Sequence, residues 1–375
     1  MAGLSFVLML KSLSHMRKHT KIYELVLLAL LMAAPVSAAN LMPPTFPPPP
    51  ASYFPLLPLN GGPDAQAQFI PLATNHALEI DHPGLTQAVI VIHDFSRNAS
   101  ATLAMMTSLA GEASATTFIM APQFLQDSDI MHYAGQLPDQ GKMFARWPLD
   151  GWITGGDSLG QKGISSFTAI DILLMYLSDK KFFPDLNQVV LVGHGAGGDF
   201  VQRYAALGQA PDSLDQHNIN VRFVVANPSS YLYFTTSRAK SNRQGFGPAD
   251  AAQCNSYNSY PYGLDNLNPY GRLVGPHAIK LRFVTRPIVY LLGEQAAQGD
   301  QLPDNSCAAL LEGMERVARG LNYNLYLKVI FGDAINRLQR FIVVPKVGYE
   351  PAPLLGSPCA LATIFGNGEC GLSQP

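Results

Sequence analysis

The sequence has few charged residues and almost no net charge. Of its 375 residues, 14% are charged, with 27 acidic and 25 basic side chains and a formal net charge of −2. Soluble domains usually carry about a quarter charged residues. The low fraction argues against a disordered tail or a coiled coil. The near-neutral balance, with no basic cluster, excludes an electrostatic case for binding nucleic acid or anionic membranes.

Cysteine is scarce, and the spacings that bind metals are absent. The four cysteines form no C-x-x-C pair and the nine histidines form no H-E-x-x-H motif, so we expect no metal and no cofactor. An even number of cysteines in an exported chain suggests two disulfides, for which spacing alone allows three pairings. The cysteines are Cys254, Cys307, Cys359 and Cys370.

The N-terminus has the pattern of an export signal. Basic side chains at positions 17, 18 and 21 precede the ten-residue apolar run Leu25–Ala34, which Pro35 ends. Val36-Ser37-Ala38 then resembles a signal-peptidase site. The apolar run is too short to span a bilayer. The sequence therefore predicts a signal peptide over residues 1–38, a secreted or periplasmic location, and no stable membrane insertion after cleavage.

The rest of the chain divides into a short spacer and one domain. Residues 39–60 are rich in proline and predict an extended spacer, and residues 61–375 predict a single domain. In this domain, β-branched apolar runs alternate with helical patterns, which indicates a mostly parallel sheet with helices on both faces. Residues 228–286 predict a loop-rich insertion at one edge of the sheet. The predicted strands are Gln87–His93, Thr117–Pro122, Gln188–Val192, Val221–Ala226, Pro287–Leu292 and Arg340–Val344. The predicted helices are Ile164–Asp179, Asp199–Leu207 and Asp304–Arg319, with Gly320 ending the last.

The strongest local motif is the glycine-rich turn Gly193–Gly198, which follows a buried strand and opens a helix. It fits G-x-G-x-x-G, so nucleotide binding is one hypothesis. That fingerprint requires an acidic residue about 20 positions later, at the end of the next strand. The next strand, Val221–Ala226, ends in Asn227-Pro228 instead. This favours a second interpretation, a G-x-S-x-G nucleophile elbow with glycine in place of serine.

The residues around this turn resemble those of secreted α/β-hydrolases of the esterase and lipase type. G-H-G-A-G-G is similar to their G-H-S-A-G-G elbow, V-I-V-I-H at residues 89–93 to the strand before their oxyanion loop, and N-P-S-S-Y at residues 227–231 to a segment beyond the elbow. The resemblance covers roughly residues 80–370. It implies an α/β-hydrolase fold with a mostly parallel central sheet. It also implies that Cys254 pairs with Cys307 and Cys359 with Cys370.

The catalytic positions that the resemblance implies are all altered. Gly195 stands at the position of the nucleophile and Tyr349 at that of the general base. A phenol with a pKa near ~10 is a poor general base at neutral pH. Ala296 stands at the position of the acid, unless a shifted alignment brings in Glu294 or Asp300.

The oxyanion donors are backbone groups, which survive changes of side chain. The resemblance implies donors at Phe95 and Ala196, but Asp94 replaces the glycine of the family's His-Gly pair. A carboxylate that points toward these donors would oppose a developing negative charge. The other elbow residues are Gly193, His194 and Gly197.

These observations together predict an exported α/β-hydrolase-fold protein that has lost its catalytic triad and acts by binding. The former cleft is the expected site for a small apolar or ester-like ligand, and an unknown protein partner is the other candidate. Two alternatives stay open. One is an ester hydrolase with a rearranged catalytic set, and the other is a nucleotide-binding protein that uses Gly193–Gly198.

Overall fold

The computed structural model describes residues 48–50, 52–56, 68–160, 163–240, 245–249, 252, 254–296 and 304–372. All of these residues belong to one folded unit. The signal peptide predicted over residues 1–38 lies outside the described residues. None of the helices among the described residues combines the length and the hydropathy that a membrane span requires.

A large mixed sheet forms the centre of the fold. The strands of the described chain are β1 Tyr53–Leu56, β2 Gln68–Thr74, β3 Gln87–Ile92, β4 Thr117–Pro122, β5 Gln188–His194, β6 Asn220–Ala226, β7 Ser237–Ala239, β8 Phe246–Pro248, β9 Ile288–Gly293 and β10 Gln339–Val344. Eight of them pair in the order β1-β2-β4-β3-β5-β6-β9-β10. The strands from β4 to β10 in this order pair in parallel, whereas β2 runs antiparallel to both β1 and β4.

Helices cover both faces of this sheet, as the sequence predicts. They are α1 Ala99–Ala110, α2 Asp127–Tyr133, α3 Ser166–Leu177, α4 Ala196–Leu207, α5 Ala210–Leu214, α6 Pro269–Val274, α7 Pro276–Thr285, α8 Cys307–Leu310, α9 Arg316–Phe331, α10 Pro351–Leu355 and α11 Pro358–Phe365. One buried cluster packs α3, α4, α7 and α9 on one face, and a second packs α1, α10 and α11 on the other. The central strands are apolar throughout because both of their faces are covered. In β3, for example, every residue after Gln87 is buried.

The insertion between β6 and β9 contains regular structure as well as loops. The ribbon of β7 and β8 and the helices α6 and α7 all lie in this segment. A disulfide joins Cys254 in the insertion to Cys307 after β9, and a second joins Cys359 to Cys370. These are the pairs that the resemblance implies. The first one ties the insertion to the loop that follows β9.

The domain begins earlier than residue 61, so the predicted boundary of the spacer is wrong. Residues 53–56, inside the proline-rich segment, form β1 and pair with β2. The Tyr53 ring packs edge-on against Phe69 and Phe144, at 5.6 Å from each ring centroid. Proline is tolerated at the edge of a sheet, where the missing N–H need not join a ladder.

The predicted helix Asp304–Arg319 is also wrong. Two helices replace it, α8 and α9, and Gly320 lies inside α9 rather than after it. This glycine is buried against β9, and a Cβ built on it would lie 2.5 Å from Leu292 Cδ1 and 2.9 Å from the hydroxyl oxygen of Tyr231. Gly320 therefore allows close packing of the helix on the sheet. In the sequence, a glycine that follows a helical pattern predicts the end of the helix, so this packing role is not evident from the sequence.

This close packing predicts the effect of Gly320→Ala. Alanine improves helix propensity by about 1 kcal/mol, but overpacking a core typically costs about 1–3 kcal/mol. We expect the free energy of unfolding, measured by denaturant titration, to fall by up to about 2 kcal/mol. Leu325→Ala on the exposed side of α9, where Leu325 is 51% exposed, is the control and should change it by less than about 0.5 kcal/mol. A higher stability of Gly320→Ala than of the natural protein would contradict the packing role.

Candidate functional site

The sharp turn between β5 and α4 is held by close backbone contacts. Gly195 lies between the two elements with φ +56° and ψ −119°, a conformation that glycine adopts without strain. A Cβ on Gly197 would lie 2.3 Å from the carbonyl oxygen of Ile92, and one on Gly193 would lie 2.1 Å from that of Gly197. Side chains at either position would push the helix off the sheet. The turn thus has the shape of a nucleophile elbow.

A carboxylate occupies the space over this elbow. The Oδ1 atom of Asp94 accepts hydrogen bonds from the backbone N–H groups of Phe95 at 2.7 Å and Ala196 at 2.9 Å. The Tyr349 hydroxyl donates to Oδ2 at 2.8 Å. A Cβ built on Gly195 would lie 2.3 Å from the Tyr349 hydroxyl oxygen and 2.8 Å from both Asp94 oxygens. These five residues form the Asp94 cluster.

Residues on the β3 side of the cluster fix the direction of Asp94. The buried His93 ring donates from Nδ1 to the Asp94 carbonyl oxygen at 2.9 Å, because its Nε2 accepts from the Phe124 N–H at 3.0 Å. Burial lowers the pKa of His93 to about 4, so the ring is neutral at physiological pH. Arg97 donates to both oxygens of Asp129 at 2.9 Å and to the Phe95 carbonyl oxygen at 3.0 Å. The loop after β3 is therefore held at both ends.

Residues from the ends of β6, β9 and α9 hold Tyr349. The Asn227 side chain accepts from the Gly293 N–H at 2.9 Å and donates to the carbonyl oxygens of Gly348 and Tyr349 at 3.3 and 3.4 Å. The Arg316 guanidinium lies 4.7 Å from the centroid of the Tyr349 ring. Sequence reasoning missed both contacts. The resemblance marked the N-P-S-S-Y segment but gave no role to its first residue.

His194 lies beside the same tyrosine. The two ring centroids are 4.7 Å apart, and Nδ1 of His194 is 4.0 Å from Oδ2 of Asp94. His194 is a buried residue at the end of β5.

The candidate acid positions lie on the turn after β9. Ala296 is fully buried, and the adjacent Gln295 donates its N–H to the Val347 carbonyl oxygen at 2.8 Å, close to Tyr349 in the chain. Glu294 is exposed, and its carboxylate accepts from the Lys346 N–H at 2.9 Å. Asp300 lies outside the described residues. The structure thus brings Gly195 and Tyr349 into contact and joins the Ala296 turn to the loop that carries Tyr349.

A cavity of about 670 Å³ opens beside the Asp94 cluster, and Phe95 belongs to its wall. The other lining residues come from the turn before α3, the first turns of α4, the segment after β6, the insertion and the loop before α8. They are Asp150, Gly151, Ile153, Thr154, Asp199, Arg203, Ser229, Ser230, Pro261, Tyr262 and Asp304.

The Asp94 cluster has the backbone donors of a hydrolase elbow but no nucleophilic side chain at position 195. Gly195 has no side chain, and three hydrogen bonds occupy the oxygens of the Asp94 carboxylate and so weaken it as a nucleophile. Both oxyanion donors are already bound to Oδ1. The same carboxylate stands at the N-terminus of α4, where it opposes the pyrophosphate that the nucleotide-binding hypothesis requires. Among the described residues, no group of His, Cys, Asp and Glu side chains could hold a metal ion.

The fold is shared with solved structures of hydrolases. LpqC, a poly(3-hydroxybutyrate) depolymerase from Bordetella parapertussis, matches with a TM-score of 0.55 and 20% identity, over 85% of this chain and 92% of that chain. Poly(aspartic acid) hydrolase-1 from Sphingomonas sp. KT-1 matches with a TM-score of 0.51 and 20% identity, over 82% and 96%. No protein-family model and no curated protein matches the chain. These structural matches confirm the predicted α/β-hydrolase fold. Because the sequence identities are only 20%, the matches show the fold alone.

The environment of His93 predicts a pH-dependent contribution to stability. A pKa near 4 in the folded state, against 6.5 for an ordinary histidine, favours folding above pH 6.5. This contribution is lost as the pH falls from 6.5 toward 4, by about 3 kcal/mol in total. We expect the difference in unfolding free energy between the natural protein and His93→Gln to shrink by this amount from pH 7 to pH 4. Denaturant titrations at a series of pH values measure the difference.

A matched control isolates the effect of the imidazole. Leu325→Ala changes no titrating group, so its difference from the natural protein should not change with pH. A difference for His93→Gln that is constant or grows toward pH 4 would show that His93 is not held neutral.

Proposed function

We propose that this α/β-hydrolase-fold protein is an exported, non-catalytic relative of the ester hydrolases and acts by binding a ligand in its former cleft. One observation carries the proposal. The Asp94 carboxylate takes both backbone donors that would stabilise an oxyanion, while its second oxygen and the Tyr349 hydroxyl fill the space of a nucleophile.

The chemistry of ester hydrolysis supports the proposal. The reaction needs a nucleophile, a base that accepts its proton, an acid that orients the base, and donors for the tetrahedral oxyanion. Here Gly195 offers no nucleophile, Ala296 no acid, and Tyr349 is bound to Asp94. Loss of the nucleophile alone lowers the rate of a serine hydrolase by about 10⁶-fold, and further losses add little. An ester carbonyl would also have to displace the Asp94 carboxylate to reach the N–H groups of Phe95 and Ala196.

Two features support export. The N-terminal pattern is that of a signal peptide, and both pairs of cysteines are joined as disulfides. Structural disulfides persist in oxidising compartments such as the periplasm and the extracellular space. The competing function is an ester hydrolase with a rearranged catalytic set, and the following experiment separates the two.

The natural protein should show no labelling by a fluorophosphonate probe and no hydrolysis of p-nitrophenyl acetate or butyrate above buffer. A four-substitution variant, Asp94→Gly, Gly195→Ser, Ala296→Asp and Tyr349→His, should gain both. Removal of one oxyanion-hole donor lowers kcat by about 10²–10³-fold, so freeing the two donors from Asp94 should raise the rate by a similar factor. We therefore expect its ester hydrolysis to exceed that of Gly195→Ser alone by at least about 100-fold.

Gly195→Ser alone is the matched control, because Tyr349 and Asp94 then still occupy the space of the new side chain. It should stay unlabelled. Saturable ester hydrolysis by the natural protein, abolished by one point substitution, would establish the rearranged enzyme and overturn the proposal.

A further inference from the structure

A carboxyl group is buried behind one wall of the cavity. Glu312 lies between α8 and α9 and is fully buried. Its Oε2 atom accepts the backbone N–H of Tyr231 at 2.9 Å, and its Oε1 atom has no hydrogen-bond partner among the described residues. Tyr231 directly follows Ser229 and Ser230, which line the cavity. Glu312 therefore holds the segment after β6 that forms this wall.

Three buried guanidinium groups act on Glu312 by their charge, and they come from three different elements. They belong to Arg203 on α4, Arg238 on β7 and Arg319 on α9. No ion pair among the described residues includes Glu312. In each of the three guanidinium groups, one buried nitrogen has no acceptor within the described part of the chain. Donors and an acceptor are thus present together without being joined.

The same guanidinium groups hold the wall of the cavity. Each donates to the backbone carbonyl oxygen of a lining residue, in the pairs Arg203–Ser230, Arg238–Tyr262 and Arg319–Ser229. A guanidinium group is planar, and its donors have fixed directions. A group that turned its unbonded nitrogen toward Glu312 would therefore move its other nitrogens away from these carbonyl oxygens.

The other titratable groups in this region cannot neutralise an ionised Glu312. Asp199 on α4 is itself acidic and binds the N–H and hydroxyl groups of Ser229. The rest are buried tyrosines, namely Tyr231, Tyr233 and Tyr323. Burial raises the pKa of each of these tyrosines well above its ordinary value, so they stay uncharged at neutral pH.

Glu312 keeps its proton while the wall is closed. Burial raises the pKa of Glu312 to about 8, because it outweighs the opposite effect of the three guanidinium groups. The proton lies on Oε1, since Oε2 accepts the Tyr231 N–H. An ionised carboxylate here would be a buried charge with a single hydrogen bond, which is unfavourable.

We propose that Glu312 is a proton-linked latch of the cavity wall. In its protonated form it holds the segment after β6 and leaves the guanidinium groups on the carbonyl oxygens of the wall. Loss of the proton attracts these groups toward Oε1, so they release the wall and the cavity opens. The latch does not depend on the proposed function, because it concerns the shape of the cavity and involves neither a ligand nor a reaction.

The direction of the pH effect follows from the two pKa values of Glu312. An ordinary glutamate has a pKa of 4.5, against about 8 in the closed wall. The raised pKa stabilises the closed wall fully below pH 4.5, and this contribution is lost as the pH rises to about 8. Above pH 8 the carboxyl is ionised whether the wall is open or closed, so no further change follows. We expect opening to become at least about 30-fold more frequent between pH 5 and pH 8.

Hydrogen–deuterium exchange of the ligand-free natural protein tests the latch. Peptides that cover residues 228–234 and 257–262 report the wall, and peptides of β3 and α1 report the rest of the fold. After correction for the intrinsic exchange rate at each pH, protection of the wall should fall at least about 30-fold from pH 5 to pH 8 and then level off. Glu312→Gln keeps an acceptor for the Tyr231 N–H but has no proton to lose, so its wall protection should stay constant within about twofold. Glu112→Gln, at an exposed glutamate just after α1, is the matched control and should behave as the natural protein does.

Two results of the exchange experiment would overturn the latch. One is protection of the wall in the natural protein that is the same at pH 5 and pH 8, and the other is an equal loss of protection in Glu312→Gln. Infrared spectra of the natural protein with ¹³C-labelled glutamate give a second measurement that needs no variant. Glu312 is the one buried glutamate among the described residues, so the carbonyl band of a protonated glutamate should persist at pH 7. Its absence at pH 7 would also overturn the latch.

Discussion

The carboxylate of Asp94 accepts hydrogen bonds from residues that follow three different strands of the sheet. Its Oδ1 receives two backbone N–H groups, one after β3 and one after β5, and its Oδ2 receives the Tyr349 hydroxyl after β10. Hydrogen bonds to an ionised group are about twice as strong as neutral ones. In an active hydrolase such donors stabilise the oxyanion of the tetrahedral intermediate, which exists only during the reaction. Here both donors are bound to a side chain of the protein itself.

The residues that the fold requires at this turn differ from the residues that catalysis requires. Gly193 and Gly197 are required by backbone contacts between α4 and the sheet, and their neighbours leave no space for a Cβ. A side chain at position 195 serves only chemistry, and glycine relieves the strain of the positive φ. His93 and Arg97 still hold the loop after β3, although it now presents Asp94 to the donors. A cavity therefore lies beside an elbow whose two backbone donors are taken by the protein's own carboxylate.

Much of the fold could be predicted from the sequence, because buried parallel strands such as β3 and β5 are continuous apolar runs. The juxtaposition of Gly195 with Tyr349 was expected from the resemblance alone. The direction of Asp94 was not, because it depends on a rotamer and on contacts with residues far away in the chain. Gly320 was misread since a glycine required by helix packing looks like a helix stop. The strand β1 was missed because its proline-rich context predicts an extended spacer.

The central claim is that Asp94 occupies an anion site formed by two backbone N–H groups, and the thermal stability of Asp94→Gly in acetate tests it most directly. That variant exposes both donors, so a small carboxylate should bind in their place. At ten times its dissociation constant, acetate would stabilise the variant by about 1.4 kcal/mol and raise its Tm by about 3 °C. The natural protein, compared in sodium chloride of equal ionic strength, should not respond. An equal response of both proteins, or none from the variant, would contradict the account.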